Sequence, residues 1–168
     1  MERPDPTRDE SLEKLRGLIK GMHVAMLTTL TPDGRLLSRP LGTQGVERDG
    51  ELWFVTGFDS AKVREIEANP QVNVAYASSD ANTYVSISGQ ATVTRDRATL
   101  EAHWTPAMSI FFPDGMDDPN LCMLRVEAQS AEYWDGPGSA AGKALYLAMT
   151  AINKNPGNLS ENASFDLR

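Results

Sequence analysis

The segment Glu51–Val93, ELWFVTGFDSAKVREIEANPQVNVAYASSDANTYVSISGQATV, does most to limit what this chain can become. Glu51–Thr56 is apolar and aromatic, which predicts a buried strand. Gly57 interrupts it. Asp59-Ser60-Ala61-Lys62 then has the chemistry of a helix start, where Asp59 or Ser60 caps the free amides of the first turn. The helix Ala61–Ala68 stops at Asn69-Pro70, because proline drives the residue before it out of the helical region. Gln71–Ala77 follows as a strand with Val72, Val74 and Tyr76 on one face, and Thr83–Thr94 as another. A strand that feeds a helix N-terminus carrying a hydroxyl and an ammonium suits a phosphate, since unpaired amides and partial positive charge favour an anion there. On these residues alone, a solvated Lys62 on an ordinary capped helix stands beside that reading.

The flanking sequence supplies more short strands. Thr7-Arg8-Asp9-Glu10 has capping-box spacing, Leu12, Leu15 and Ile19 share a helix face, and Gly21 offers a left-handed end. Val24–Leu30 reads as a strand, Thr31-Pro32-Asp33-Gly34 as a turn, and Arg35–Thr43 as the returning strand. Pro40 cannot donate to a ladder, so that strand is expected at a sheet edge or with a bulge. A short strand Gly45–Arg48 and the turn Asp49-Gly50 lead into Glu51. Asp96 caps a helix running to about Trp104, Pro106 breaks it, and Leu121–Ala128 and Ala131–Trp134 read as the last strands. Ala140–Ile152 reads as a helix. Many short strands, turn signals between them and few helices predict a mainly β (α+β) chain built on a closed or nearly closed barrel. The 168 residues suggest one domain, 1–152, with 153–168 as a flexible tail poor in apolar side chains.

Composition narrows the function. A net charge of −7 argues against nucleic acid as a partner, because phosphate backbones select basic surfaces. No apolar run is long enough to span a bilayer, and Met1–Pro6 lacks the apolar core of a signal peptide. The lone Cys122 forms no internal disulfide and lies in an apolar strand, as a buried hydrophobe does. A cytoplasmic protein is expected. No zinc spacing, calcium loop or G-x-G-x-x-G is present, and Gly138–Ala144 is one residue short of a P-loop.

The ordered set Ser38-Arg39-Pro40-Leu41, Thr56-Gly57-x-x-Ser60-x-Lys62, Asn69-Pro70-x-Val72, Ser86-x-Ser88-Gly89 and Ala131-Glu132-Tyr133-Trp134-Asp135 resembles the pyridoxamine 5′-phosphate oxidase-like FMN-binding split barrels, general stress protein branch. The similarity runs from about Leu12 to Asp135. It implies a split β-barrel with flanking helices and FMN as cofactor, with FAD or F420 as alternatives in related barrels. It places Ser38, Arg39, Pro40 and Leu41 along the flavin and Val55 and Thr56 at the ring and ribityl chain. Ser60 and Lys62 fall at the phosphate. It implies a homodimer with the flavin between subunits and Trp134 reaching across the boundary. Trp104, Phe111 and Phe112 read either as pocket wall or as helix–barrel packing.

Two departures matter. The oxidases proper have an arginine next to the phosphate-binding lysine, where this chain has Ala61. They also have Arg-x-His where this chain reads Gly136-Pro137-Gly138-Ser139-Ala140-Ala141. Pyridoxamine phosphate oxidation is therefore not expected. An FMN-dependent oxidoreductase acting on an unknown small molecule and a non-catalytic flavin-binding stress protein, sensor or store, both fit, and no residue stands out as a catalytic acid or base.

Overall fold

The computed structural model describes residues 7–138 and 161–168. Helix α1 (Arg8–Ile19) starts at a true capping box: Thr7 Oγ1 accepts from the Glu10 amide and the Glu10 carboxylate accepts from the Thr7 amide at 2.8 Å. Its buried face is Leu12, Leu15 and Ile19. Strands β1 (Val24–Leu30) and β2 (Leu36–Gly42) form a hairpin around a turn in which Gly34 takes φ +84°. Then come β3 (Glu51–Gly57), α2 (Ala61–Ala68), β4 (Gln71–Ser78), β5 (Thr83–Thr94), α3 (Arg97–His103), two 3₁₀ turns (Pro106–Ile110 and Gly115–Asp117), β6 (Leu121–Asp135) and β7 (Glu161–Asp166).

All pairing is antiparallel, in the order β2-β1-β4-β5-β6-β3, and β7 joins the C-terminal half of β6. The sheet curls without closing. Its terminal strands β2 and β3 approach each other, yet among the described residues no ladder joins them, and a single bridge between Val46 and Leu52 lies nearby. Pro40 sits on the edge strand β2, as its missing N–H requires.

Side-chain alternation builds the core. Val72, Val74 and Tyr76 of β4, Val85 and Ile87 of β5, and Leu52 and Phe54 of β3 point inward against α1, Val63 and Ile66. The start of β6 is apolar on both faces because its second face is also covered. There Trp53, Leu121 and Met123 pack with Leu100 of α3, Phe112 and Trp104. Elsewhere the outer face is bare: Val24, Met26, Tyr84 and Trp134 are exposed.

Three expectations change. The strand Gly45–Arg48 shrinks to its one bridge, as Gly45 turns the chain at φ +97°. Leu121–Ala128 and Ala131–Trp134 are one strand, β6, whose register against β5 shifts at Ser88/Gly89. A Cβ on Gly89 would lie 2.2 Å from the Glu127 carbonyl oxygen, so this shift needs glycine. The last change concerns the tail. Residues 161–166 are a strand, held by β6 pairing, by burial of Phe165, and by Tyr133 and Lys14 on Glu161. The helix predicted at Ala140–Ile152 lies outside the described residues.

Candidate functional site

The site begins where β3 gives way to α2. Asn120 pins this crossing: its carbonyl accepts the Phe58 amide at 2.6 Å and its side chain accepts the Asp59 amide at 2.8 Å. Ser60 then takes the N-cap position with extended backbone, but its hydroxyl makes no capping bond. Ser60 Oγ is buried and has no hydrogen-bond partner among the described residues. Asp59 does not cap either; its carboxylate pairs with Arg64 at 3.2 Å in solvent. The first turn of α2 is thus uncapped by side chains, with a buried hydroxyl beside it.

Lys62 is half-buried rather than solvated. Its Nζ donates to Thr56 Oγ1 at 2.7 Å, folding the ammonium back over the end of β3. Burial, and then the nearby Arg39 guanidinium, hold the Lys62 ammonium below the ordinary lysine value, with Cys122 and Glu65 opposing in part. Arg39, on β2, donates through Nη1 to Glu65 Oε2 at 2.9 Å and to Thr29 Oγ1 at 2.6 Å. Arg39 of the edge strand β2 and Lys62 of α2, which follows the other edge strand β3, therefore come together near the α2 N-terminus.

Next to them opens a cleft of about 450 Å³. Pro40 and Leu41 of β2 line one side and Val55 and Thr56 of β3 another, while Met108, Phe111 and Phe112 come from the segment after α3. Among the described residues, no lining side chain is charged. Such a slot suits a flat, largely apolar ring, with the cations at one end for a charged group.

The structure brings together Arg39, Pro40, Leu41, Val55, Thr56, Ser60 and Lys62. Ser38 lies on the outer face of β2, where its hydroxyl meets Thr28 Oγ1 at 2.6 Å. Trp134 lies toward the far end of β6 from Met123, the partner of Val55, and is 42% exposed on the outer face. Phe111 and Phe112 wall the cleft, whereas Trp104 packs in the small outer cluster. Sequence reasoning missed Glu65, Asn120, Met108 and Thr29. For Glu65 a signal existed: a carboxylate between Val63 and Ile66, both on the buried side of α2, needs a cation. For Asn120 and Met108, set in loops far along the chain, no local pattern was available. Cys122 is buried as expected. Its thiol donates to the Thr56 carbonyl at 3.4 Å, and burial pushes its pKa up to about 11.

This arrangement has relatives. The sequence profile of the family described as "Pyridoxamine 5'-phosphate oxidase like" matches residues 10–158. Protein bli-3 of Neurospora crassa is 25% identical over 163 residues, covering 91% of this chain and 78% of that one. A protein of Clostridium acetobutylicum described as related to general stress protein 26 superimposes with a TM-score of 0.72 at 18% identity, covering 95% of this chain and 96% of that chain. The general stress FMN/FAD binding protein of Xanthomonas citri superimposes with a TM-score of 0.65 at 29% identity, covering 79% of this chain and 93% of that one. With the open antiparallel sheet described above, these matches establish that the chain is a split-barrel protein and belongs to the pyridoxamine 5′-phosphate oxidase-like family, among the relatives of the general stress proteins.

Proposed function

We propose that the protein binds a flavin, FMN by preference, and serves as a flavin-dependent oxidoreductase for a small molecule. The observation that carries this reading is the orphaned Ser60 hydroxyl, buried at an uncapped helix N-terminus beside Lys62 and next to an uncharged cleft. A buried hydroxyl without a partner is costly, and a phosphate oxygen would satisfy it. Ser60, Lys62 and the α2 amides would hold the phosphate. Pro40, Leu41, Val55 and Thr56 would flank the ring system, with Arg39 beside them. The FMN/FAD binding named for the Xanthomonas citri relative supports the same reading. When bound, the flavin supplies the electron transfer. The chain's own residues bind, orient and desolvate it.

Among the described residues, no titratable side chain lines the cleft. That favours a second reading, a flavin store or sensor without turnover. Absorbance titration of the purified protein with FMN, FAD and F420 tests the cofactor, and reduction of bound flavin by NADH or NADPH separates the two readings. A visible spectrum and melting temperature indifferent to all three cofactors would refute both, since binding to the folded state alone raises stability.

The same reading includes a homodimer. Met26 faces Pro40 and Ala75 across β1, and Tyr84 faces Trp134 and Ala77 across β5, so the outer sheet face carries exposed apolar side chains in register. A second copy would cover them.

A further inference from the structure

Glu65 sits on α2, one turn after Lys62, and is buried. A carboxylate in that position needs strong partners. It has two on a single oxygen: Thr29 Oγ1 donates to Oε2 at 2.6 Å and Arg39 Nη1 donates to the same atom at 2.9 Å. Arg39 Nη1 also donates to Thr29 Oγ1, so the three side chains close a triangle across β1, β2 and α2. Burial pushes Glu65 upward, but the bonds from Thr29 and Arg39 and the charges of Arg39 and Arg64 outweigh it and hold the carboxyl below its ordinary value. The carboxylate is therefore ionised at neutral pH.

The triangle uses only one terminal nitrogen of the guanidinium. Nε and Nη2 of Arg39 have no partner among the described residues. A planar guanidinium held at one corner keeps its other donors at fixed angles. Lys62 lies close enough for Arg39 to repel its charge. Without a counter-charge, the two cations would drive each other apart.

We propose that Glu65 is the positioning residue of the anion end of the cleft: it anchors Arg39 by one nitrogen, so that the free donors of Arg39 and the ammonium of Lys62 converge on one negatively charged ligand group. This rests on the flavin reading above, with the flavin phosphate as that group. It also makes α2 a single rigid carrier for both halves of the site. The N-terminus of α2 presents Ser60 and Lys62, and its second turn sets the arginine of a different strand.

The test is a double-mutant cycle. FMN and riboflavin are titrated calorimetrically into the wild-type protein, Glu65→Gln, Arg39→Met and the double variant. Glutamine keeps the size of the side chain and an acceptor for Thr29, so the flavin-free protein remains folded. The expected result is about a tenfold loss of FMN affinity in Glu65→Gln, a loss at least as large in Arg39→Met, and no further loss when Glu65→Gln is added to Arg39→Met. The Arg39 Nε–H resonance of the flavin-free protein should move in Glu65→Gln, a change that reports the anchor without any ligand. Tighter FMN binding in Glu65→Gln would show Glu65 to be merely an opposing charge, and would overturn the proposal. An equal loss in both backgrounds would mark a purely structural role and also overturn it. Wild-type protein that binds neither ligand would overturn the flavin reading itself. Unchanged FMN affinity in Glu65→Gln, with wild-type binding intact, would sink the positioning role alone.

Discussion

Replacing Lys62 by methionine keeps the apolar stem packed over β3 and deletes the charge. Lys62 gives one N–H to Thr56 Oγ1 at 2.7 Å. An ammonium has three, so two remain for a phosphate. One charge-assisted hydrogen bond contributes roughly 1.5–3 kcal/mol, and FMN should bind Lys62→Met on the order of ten- to a hundredfold more weakly. Riboflavin lacks the phosphate and should lose little. The structure also alters what removal does to the free protein. Lys62 is desolvated and repelled by Arg39, which depresses its folded pKa. A lysine depressed on folding binds fewer protons folded than unfolded between the two pKa values, so it opposes stability below that window and the penalty fades as pH rises through it. Lys62→Met should therefore melt no lower than wild type at neutral pH. By the same linkage, wild-type affinity for FMN should fall as pH rises through the depressed value, and the variant should lack that fall. Calorimetric titration of both ligands against both proteins across alkaline pH is the assay. Equal losses for FMN and riboflavin would refute the phosphate contact, as would an unchanged FMN affinity.

Sedimentation of the flavin-loaded protein at micromolar concentration should show a dimer, and Trp134→Glu, placed on the exposed sheet face, should shift it toward monomer; a wild-type monomer with flavin bound would contradict the interface. Gly89→Ala should destabilise the fold by about 2–4 kcal/mol in urea unfolding, because its methyl must displace a backbone carbonyl 2.2 Å away. Cys122, buried with a pKa of about 11, should resist maleimide in the native protein at pH 8, where roughly a thousandth would be thiolate, and react promptly once unfolded.

Local chemistry made much of the fold legible. The helix Ala61–Ala68 and the strand Val24–Leu30 fall where periodicity, capping and proline place them. Pairing was not legible. That β3 ends the sheet beside β6 rather than β2 depends on contacts between residues some seventy positions apart, such as Val55 with Met123. The same limit governs the site. Ser60, Lys62 and Thr56 are near neighbours in sequence, and their grouping could be read from it. The Arg39–Glu65 pair and the Asn120 clamp join separate segments, and only the folded chain brings them together. Lys62 shows how local reading errs: a lysine in a first helical turn is usually solvated, but here the end of β3 lies beneath it. The expectation for residues 161–166 erred for a related reason: Phe165 is one aromatic among polar residues, and it is buried where the segment pairs with β6.

The unpaired gap between β2 and β3 has a mechanical consequence. An antiparallel barrel that closes has its first and last strands laced together by main-chain bonds. Among the described residues that lacing is missing, and the cleft occupies the line where it would run, with Pro40–Gln44 on one bank and Val55–Gly57 on the other. Parting the sheet along that line would break no ladder bonds, whereas parting it between two paired strands would. A ligand in the cleft that touched both banks would act as a clasp, supplying side-chain contacts in place of ladder rungs. Ligand binding would then hold the two banks together, and slowed amide exchange along β2 and β3 would be the record of occupancy.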